Sequence, residues 1–331
     1  MADVEARFEQ VVKTRAGYRV AVLLPCYNEE AAIAQTVAGF RAALPDADIY
    51  VYDNNSKDRT AEVAAAAGAI VRSEKMQGKG HVVRRMFADV EADIYVMADG
   101  DTTYDSTAAP ALVAKLIDEQ LDMVVGARKS EIEEAYRRGH RWGNKLFTGI
   151  LAFIFGRTFS DIFSGYRIFS RRFAKSFPAL ARGFETETEI SVHALELAMP
   201  VGEVVTAYGA RPEGSESKLS TYRDGWRIMK TILHLFRIER PVLFYGGFGL
   251  FLAVIALTMS VPLIITYFQT GLVPRFPTAI LATGLMIVAF MSFMCGLILD
   301  TVVRGRREVR RLHYLSFPSV AAGPDPRLTN R

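Results

Sequence analysis

An apolar run, Asp93-Ile-Tyr-Val-Met-Ala98, ends abruptly in Asp99-Gly100-Asp101. Two carboxylates one residue apart can present oxygens to a single hard cation, and Mg²⁺ is typically held by one or two carboxylates while it bridges substrate phosphates. Gly100 is read as the residue that lets the backbone turn tightly between them. An acidic turn after any strand would look similar, because Asp and Gly are common turn formers. The neighbouring motifs argue for chemistry. Pro25-Cys26-Tyr27-Asn28-Glu29-Glu30, Asp53-Asn54-Asn55-Ser56 and Gln77-Gly78-Lys79-Gly80 each close an apolar or alternating run upstream.

The elements that must position these residues are legible in outline. Segments 19–24, 48–53, 69–72, 93–98 and 122–126 read as short buried strands, with helical spacing between the first several. Such alternation predicts an α/β domain with a mainly parallel sheet, in which ligands sit beyond the carboxyl ends of the strands. Each motif falls at such an end, and together they read as one nucleotide-sugar site. Residues 57–67 open with capping residues and continue into helix formers, so Asp58 reads equally as a cap and as a ligand contact. Glu30 reads as the start of a helix, and 107–121 form an amphipathic one. A basic cluster from Arg137 to Lys145 leads into an apolar run at 146–155 that is too short to span a bilayer, which predicts an interfacial helix. A second amphipathic segment, 222–239, is expected to lie along the membrane.

Half of the 331 residues are hydrophobic, enough for one large α/β domain and something smaller. Segments 242–268 and 278–299 contain no charge, and each exceeds the roughly 20 apolar residues that cross a bilayer. Lys230, Arg237 and Arg240 precede the first; Arg304, Arg306, Arg307, Arg310 and Arg311 follow the second; Arg275 alone lies between. That asymmetry puts both ends on the cytoplasmic side of a multi-pass inner-membrane protein. No apolar run precedes Val20, so no secretory signal is expected and the large domain is assigned to the cytoplasm. Cys26 and Cys295 fall in different parts of the chain and imply no disulfide framework. The net charge of +4 is mild and useful mainly where it flanks the membrane; no nucleic-acid partner is expected. The boundaries read as an extension at 1–17, the large domain at 18–221, a juxtamembrane helix at 222–240, spans at 241–269 and 277–300, and a basic tail at 301–331 whose end, 320–331, reads as disordered.

Over roughly residues 18–240 the order of these motifs resembles the inverting family 2 glycosyltransferases of the GT-A fold. Within them it looks most like the polyprenyl-phosphate group, which includes dolichyl-phosphate mannose synthase and bacterial undecaprenyl-phosphate relatives. The resemblance implies a Rossmann-like GT-A domain with interfacial helices and a C-terminal two-helix hairpin. It implies transfer of one sugar from a UDP- or GDP-linked donor to a polyprenyl phosphate, with Mg²⁺ or Mn²⁺ as cofactor. Pro25, Tyr27, Asn28, Glu29 and Asp53 would hold the base and ribose, and Asp101, beside Gly100, would ligate the metal directly, while Asp99 would either share the metal, directly or through water, or touch the ribose. Lys79 would touch phosphate, although Gly78-Lys79-Gly80 lacks P-loop spacing. Lys218, in Arg211-Pro-Glu-Gly-Ser-Glu-Ser-Lys218, would close over the diphosphate.

On the acceptor side, Arg128 matches the family's phosphate-binding arginine, with Arg141, preferred to Arg138, as the second. Arginine suits a phosphate monoester because its fork makes bidentate contacts. Asp161 occupies the position of the candidate catalytic base, with pairing to Arg167 as the alternative. A phosphate monoester with a second pKa near 6 scarcely needs deprotonation, so positioning is an equal reading. Ser164 and Glu187 would line the acceptor and sugar pocket. A processive polysaccharide synthase would share the early motifs, yet Arg138 stands where its Gln-x-x-Arg-Trp hallmark needs Gln. A nicotinamide enzyme would need Gly-x-Gly-x-x-Gly after the first strand, which is absent. A non-enzymatic scaffold for a flippase or partner transferase would not need Asp99, Asp101, Arg128 and Asp161 together. The apolar faces of two spans leave room for self-association.

Overall fold

The computed structural model describes residues 17–129, 149, 159–180, 183, 185–209, 230, 233 and 236–329. Arg138, Arg141, Lys218, the run at 146–155 and most of 222–239 lie outside the described residues. The chain divides into two units, 1–221 with 310–331, and 222–309.

The first unit is built on a seven-stranded sheet in the order β3-β2-β1-β4-β6-β5-β7. Its strands are β1 (Val20–Cys26), β2 (Asp48–Asp53), β3 (Ile70–Ser73), β4 (Ile94–Met97), β5 (Met123–Lys129), β6 (Arg167–Ser170) and β7 (Val201–Ala207). All pairings are parallel except the two made by β6, which runs against β4 and β5. Ala21, Val22, Leu23 and Leu24 of β1 and all of β4 are buried, as central strands covered on both faces require.

Helices α1 (Ile33–Ala43) and α4 (Ala109–Asp118) cover one face. Each buries four residues at one helical spacing: Ile33, Thr36, Val37 and Phe40, and Ala109, Leu112, Val113 and Leu116. Phe40 stands edge-on to Tyr166 at 6.2 Å. Its replacement by Ala would cost about 3–5 kcal/mol, the usual loss for a core aromatic. Helix α2 (Thr60–Ala66) follows β2. On the other face, α3 (Lys79–Asp89) packs Phe87 against Tyr95, Phe169 and Phe177. Helix α5 (Arg171–Ser176), capped by the Ser170 hydroxyl, and α6 (Thr186–Glu196) complete that layer, with His193 edge-on to Phe173 and Phe177.

Residues 310–329 are part of this unit, which corrects the expectation of a disordered end. Arg310 pairs with Glu196 at 2.5 Å, and the Tyr314 hydroxyl donates to buried Asp122 at 2.6 Å. Val320 enters the core, and its carbonyl accepts from the Tyr18 hydroxyl at 2.8 Å. Asp325 pairs with Arg171 and Arg327, while its N–H donates to Asp93. A polar tail is held because buried charges at the amino ends of β4 and β5 need partners that nearby chain does not supply in full.

The second unit contains α7 (Pro241–Thr270) and most of α8 (Phe276–Leu315). Both are long and apolar enough to cross a membrane. At 30 residues α7 reaches about 45 Å, more than a hydrocarbon core needs. The two approach closely at small residues: a β-carbon on Gly249 would stand 2.7 Å from the Ala289 carbonyl oxygen. Helix α8 runs past residue 300, where the charge pattern alone would have ended the span, to Leu315.

Candidate active site

The loops after β1, β2, β3 and β4 meet at the carboxyl ends of the strands, and side-chain hydrogen bonds bind them to one another. Asn28, at φ +53°, accepts from the Lys57 N–H at 2.8 Å, while its own N–H donates to the Ser56 hydroxyl at 2.9 Å. The Glu29 N–H donates to Thr60 Oγ1 at 2.8 Å. Glu30 does not begin a helix; its carboxylate holds Arg59, and its N–H donates to Asp58, whose other oxygen accepts from Thr60. Asp58 thereby ties the first loop to the start of α2, whose N-cap is Arg59. Asn28 and the Glu29 backbone, read as nucleotide contacts, join the first loop to the second. Pro25 lies within β1 and Tyr27 just beyond its end, both partly buried.

Asp53, at the end of β2, is 9% exposed. Its Oδ2 accepts weakly from the Ser56 N–H at 3.3 Å, whereas Oδ1 is buried with no hydrogen-bond partner among the described residues. A buried, unpaired carboxylate oxygen costs free energy, so this atom suits a ligand bearing N–H or O–H donors.

Gly100 separates the two aspartates for a reason other than a tight turn. Its φ is not positive; rather, a β-carbon there would lie 2.4 Å from Cys26 Sγ and 3.3 Å from Ile33 Cδ1. The strained residue is Thr102, a β-branched side chain at φ +58°. Asp101 is 3% exposed, and its Oδ1 accepts from the Thr103 hydroxyl at 2.6 Å and the Thr103 N–H at 3.2 Å. Thr103 was missed in the sequence, although an Asp followed two positions later by Thr is a signal for this local bonding.

Asp99 reaches the Lys79 ammonium at 2.5 Å, and the same ammonium reaches Glu187 at 2.5 Å. Burial alone would lower the Lys79 pKa; the two carboxylates outweigh it and hold the group firmly protonated. Three residues from different elements thus meet in one partly buried cluster.

Arg128 and Asp161 form a second ion pair. Nε donates to Oδ2 at 2.7 Å and Nη2 to Oδ1 at 2.8 Å. Burial would raise the Asp161 pKa, but the bonds from Arg128 outweigh it and lower the value below that of an ordinary carboxylate. Arg167, the alternative partner, is fully buried and donates to the Ile162 and Ser164 carbonyls instead, with its pKa pulled down to about 10 by burial. The Ser164 hydroxyl is fully buried and donates to the Gly126 carbonyl at 2.6 Å, so it fixes the loop from within. That loop approaches the Asp99 carboxylate so closely that a β-carbon on Gly165 would stand 2.8 Å from Oδ2.

Aromatic rings close the gap between the pairs. Tyr104 accepts from the Gly165 N–H at 2.8 Å and packs on Tyr208 at 5.3 Å, and Arg128 lies over the Tyr208 ring at 5.4 Å. Neither tyrosine was read from the sequence. Tyr208 joins Tyr104 through an isolated antiparallel bridge across a long separation, and nothing local announces that.

Among the described residues no group of three or more His, Cys, Asp or Glu side chains gathers as a metal cage. Asp99 and Asp101 are the carboxylates that stand beyond the end of β4 and could hold a metal ion. Two carboxylates match a Mg²⁺-type ion whose remaining ligands come from substrate phosphates and water.

The mainly parallel sheet with its reversed strand β6 has a GT-A-like fold. Glucosyl-3-phosphoglycerate synthase from Mycobacterium tuberculosis, in complex with phosphoglyceric acid, superposes with a TM-score of 0.58 at 22% identity, over 68% of this chain and 82% of that one. The same enzyme with Mn²⁺, UDP-glucose and phosphoglyceric acid gives 0.53 at 23% identity, over 68% and 82%. The Glycosyl transferase family 2 profile matches residues 21–177. Glycosyltransferase AglJ of Haloferax volcanii is 35% identical over 232 residues, 70% of this chain and 76% of that protein. The dolichyl-phosphate hexose transferase of the same organism is 28% identical over 221 residues, 67% of this chain and 95% of that one. An uncharacterized Shigella flexneri protein is 54% identical over 153 residues, 46% and 94%. The chain belongs to glycosyltransferase family 2.

Proposed function

We propose that this glycosyltransferase moves one sugar, with inversion, from a nucleoside-diphosphate sugar to a polyprenyl phosphate at the cytoplasmic face of the membrane. The observation that carries the reading is the ion pair between Arg128 of β5 and Asp161, which stands on the loop packed against Asp99, in a chain that also has two helices of membrane-spanning length. A relative named a dolichyl-phosphate hexose transferase, and a structural neighbour solved with UDP-glucose and Mn²⁺, support the acceptor and donor classes.

In this reading Asp53 Oδ1 accepts from the base or ribose of the donor. Asp101 and Asp99 would hold Mg²⁺ or Mn²⁺, which when bound would neutralise charge on the leaving diphosphate. Lys79 donates to the same diphosphate. Arg128, whose Nε and Nη2 are held by Asp161, turns the other edge of its guanidinium to the lipid phosphate, which is already largely dianionic near neutral pH and attacks without a proton being removed. Asp161, held ionised by Arg128, sets that guanidinium rather than acting as a strong base. Glu187 fixes Lys79, and Arg141, Arg138 and Lys218 are further acceptor and donor contacts.

The test is incubation of the detergent-solubilised protein with undecaprenyl phosphate, Mg²⁺ or Mn²⁺ and a panel of UDP- and GDP-sugars, with lipids read by mass spectrometry. A single polyprenyl-phosphate hexose ion is expected. A ladder of sugar additions, or intact donors beside bound nucleotide, would overturn the assignment in favour of a processive synthase or a scaffold.

A further inference from the structure

We infer that Asn54 is a positioning residue for the donor diphosphate: its side-chain amide fixes the loop that delivers Lys79. The inference rests on the reading of Lys79 as a diphosphate contact. Asn54 is 4% exposed and sits at the junction of three strand ends. Its N–H donates to the Cys26 carbonyl at 2.9 Å, which locks it to the end of β1.

Its amide then faces the loop between β3 and α3. Nδ2 donates to the Glu74 carbonyl at 2.9 Å and the Met76 carbonyl at 2.8 Å, and Oδ1 accepts from the Gly78 N–H at 2.7 Å. Both donor hydrogens and one lone pair are thus used, in a direction only an amide can satisfy. Asn55, at φ +60°, adds a bond to the Lys75 carbonyl at 2.8 Å.

These bonds fix Gly78, which is at φ +130°, a conformation closed to other residues, and which is the N-cap of α3. Lys79 is the first residue of that helix. Its Cα position is therefore set by Asn54, and its ammonium then falls between Asp99 and Glu187. A long lysine side chain is otherwise free to sample many rotamers, so a defined start to the helix is what makes one placement persist. Aspartate at 54 would keep the acceptor for Gly78 but set a carboxylate against two carbonyl oxygens.

Calorimetry with UDP and GDP, in Mg²⁺, on the full-length protein in detergent tests this with the wild type, N54A, N54D, K79A and N54A/K79A. Melting temperatures run alongside. In N54A nucleotide affinity is expected to fall about tenfold, as the loss of one or two net hydrogen bonds implies, and N54D to fall at least as far. In the K79A background N54A is expected to add less than about twofold, because a residue acting through Lys79 has nothing left to position. Donor KM should rise with polyprenyl-phosphate KM unchanged. Losses that multiply in the double variant, or N54A and N54D proteins that bind like wild type, would overturn the inference alone. A wild type that binds neither nucleotide would overturn the donor reading, and this inference with it. Should N54A fail to fold, the nearly isosteric N54D, combined with K79A, gives the same comparison.

Discussion

Arg128 and Asp161 meet fork to fork: two parallel N–H···O bonds of 2.7 and 2.8 Å join residues that lie 33 positions apart, and the Arg128 N–H adds a third at 3.3 Å. Two residues proposed for different tasks, phosphate capture and base catalysis, are one structural unit. A carboxylate so paired is a poor proton acceptor and a good orienting group.

The first prediction follows from that unit. Arg128→Ala and Asp161→Asn are each expected to reduce kcat/KM for the lipid acceptor by about 10²-fold, and the double variant little further, because members of one interacting pair are not additive. Steady-state kinetics on the four proteins decides it. Fully multiplicative losses would separate the two roles.

Asp101→Ala should reduce metal-dependent transfer by about 10³-fold or more, the scale of losing a leaving-group stabiliser. Membrane insertion should be unchanged, since Asp101 lies far in sequence from both spanning-length helices. Turnover with added Mn²⁺, together with the membrane-fraction yield, measures both.

Gly100→Ala places a methyl group 2.4 Å from Cys26 Sγ, so it should cost about 1–3 kcal/mol of stability and disturb the Asp99–Asp101 spacing. Adding Cys26→Ala removes the clashing sulfur and should restore part of both melting temperature and turnover. Absence of rescue would mean that Gly100 serves its backbone conformation instead of its neighbour.

Tyr314→Phe tests the return of the chain onto the domain. It removes the hydroxyl bond to Asp122, a carboxylate that is 1% exposed and keeps Arg172 and Ser170 as partners. A loss of about 1–2 kcal/mol is expected, read as a lower melting temperature. An unchanged melting temperature would show that the Tyr314 hydroxyl bond contributes nothing to this unit.

Acid sensitivity has a source in His193. Burial, with Arg310 nearby, lowers its pKa to about 3, whereas the unfolded ring titrates near 6.5. Below that unfolded value the unfolded chain takes the proton first, so His193 withdraws stability as pH falls from about 6.5 toward 3 and has no effect above. Melting temperatures at pH 7.5 and 5.0 should fall in the wild type and fall less in His193→Gln.

The strand ends and their motifs were legible in the sequence because they depend on local features. A strand buried on both faces needs an unbroken apolar run, a parallel sheet needs helices between strands, and the polar residues that interrupt each run then fall at the carboxyl edge. Asp53, Asp99, Asp101 and Lys79 were found that way, and the two long uncharged segments by length alone. What only the tertiary structure decided were relationships across long separations: Lys79 between Asp99 and Glu187, Asp161 on Arg128 rather than Arg167, Ser164 turned inward, Tyr208 against Tyr104, and 310–329 folded onto the strand starts. Each depends on strand order and on the single reversed strand β6, which bring distant segments into register. Local propensity carries no record of that register, since a carboxylate pairs with whichever cation the topology sets beside it.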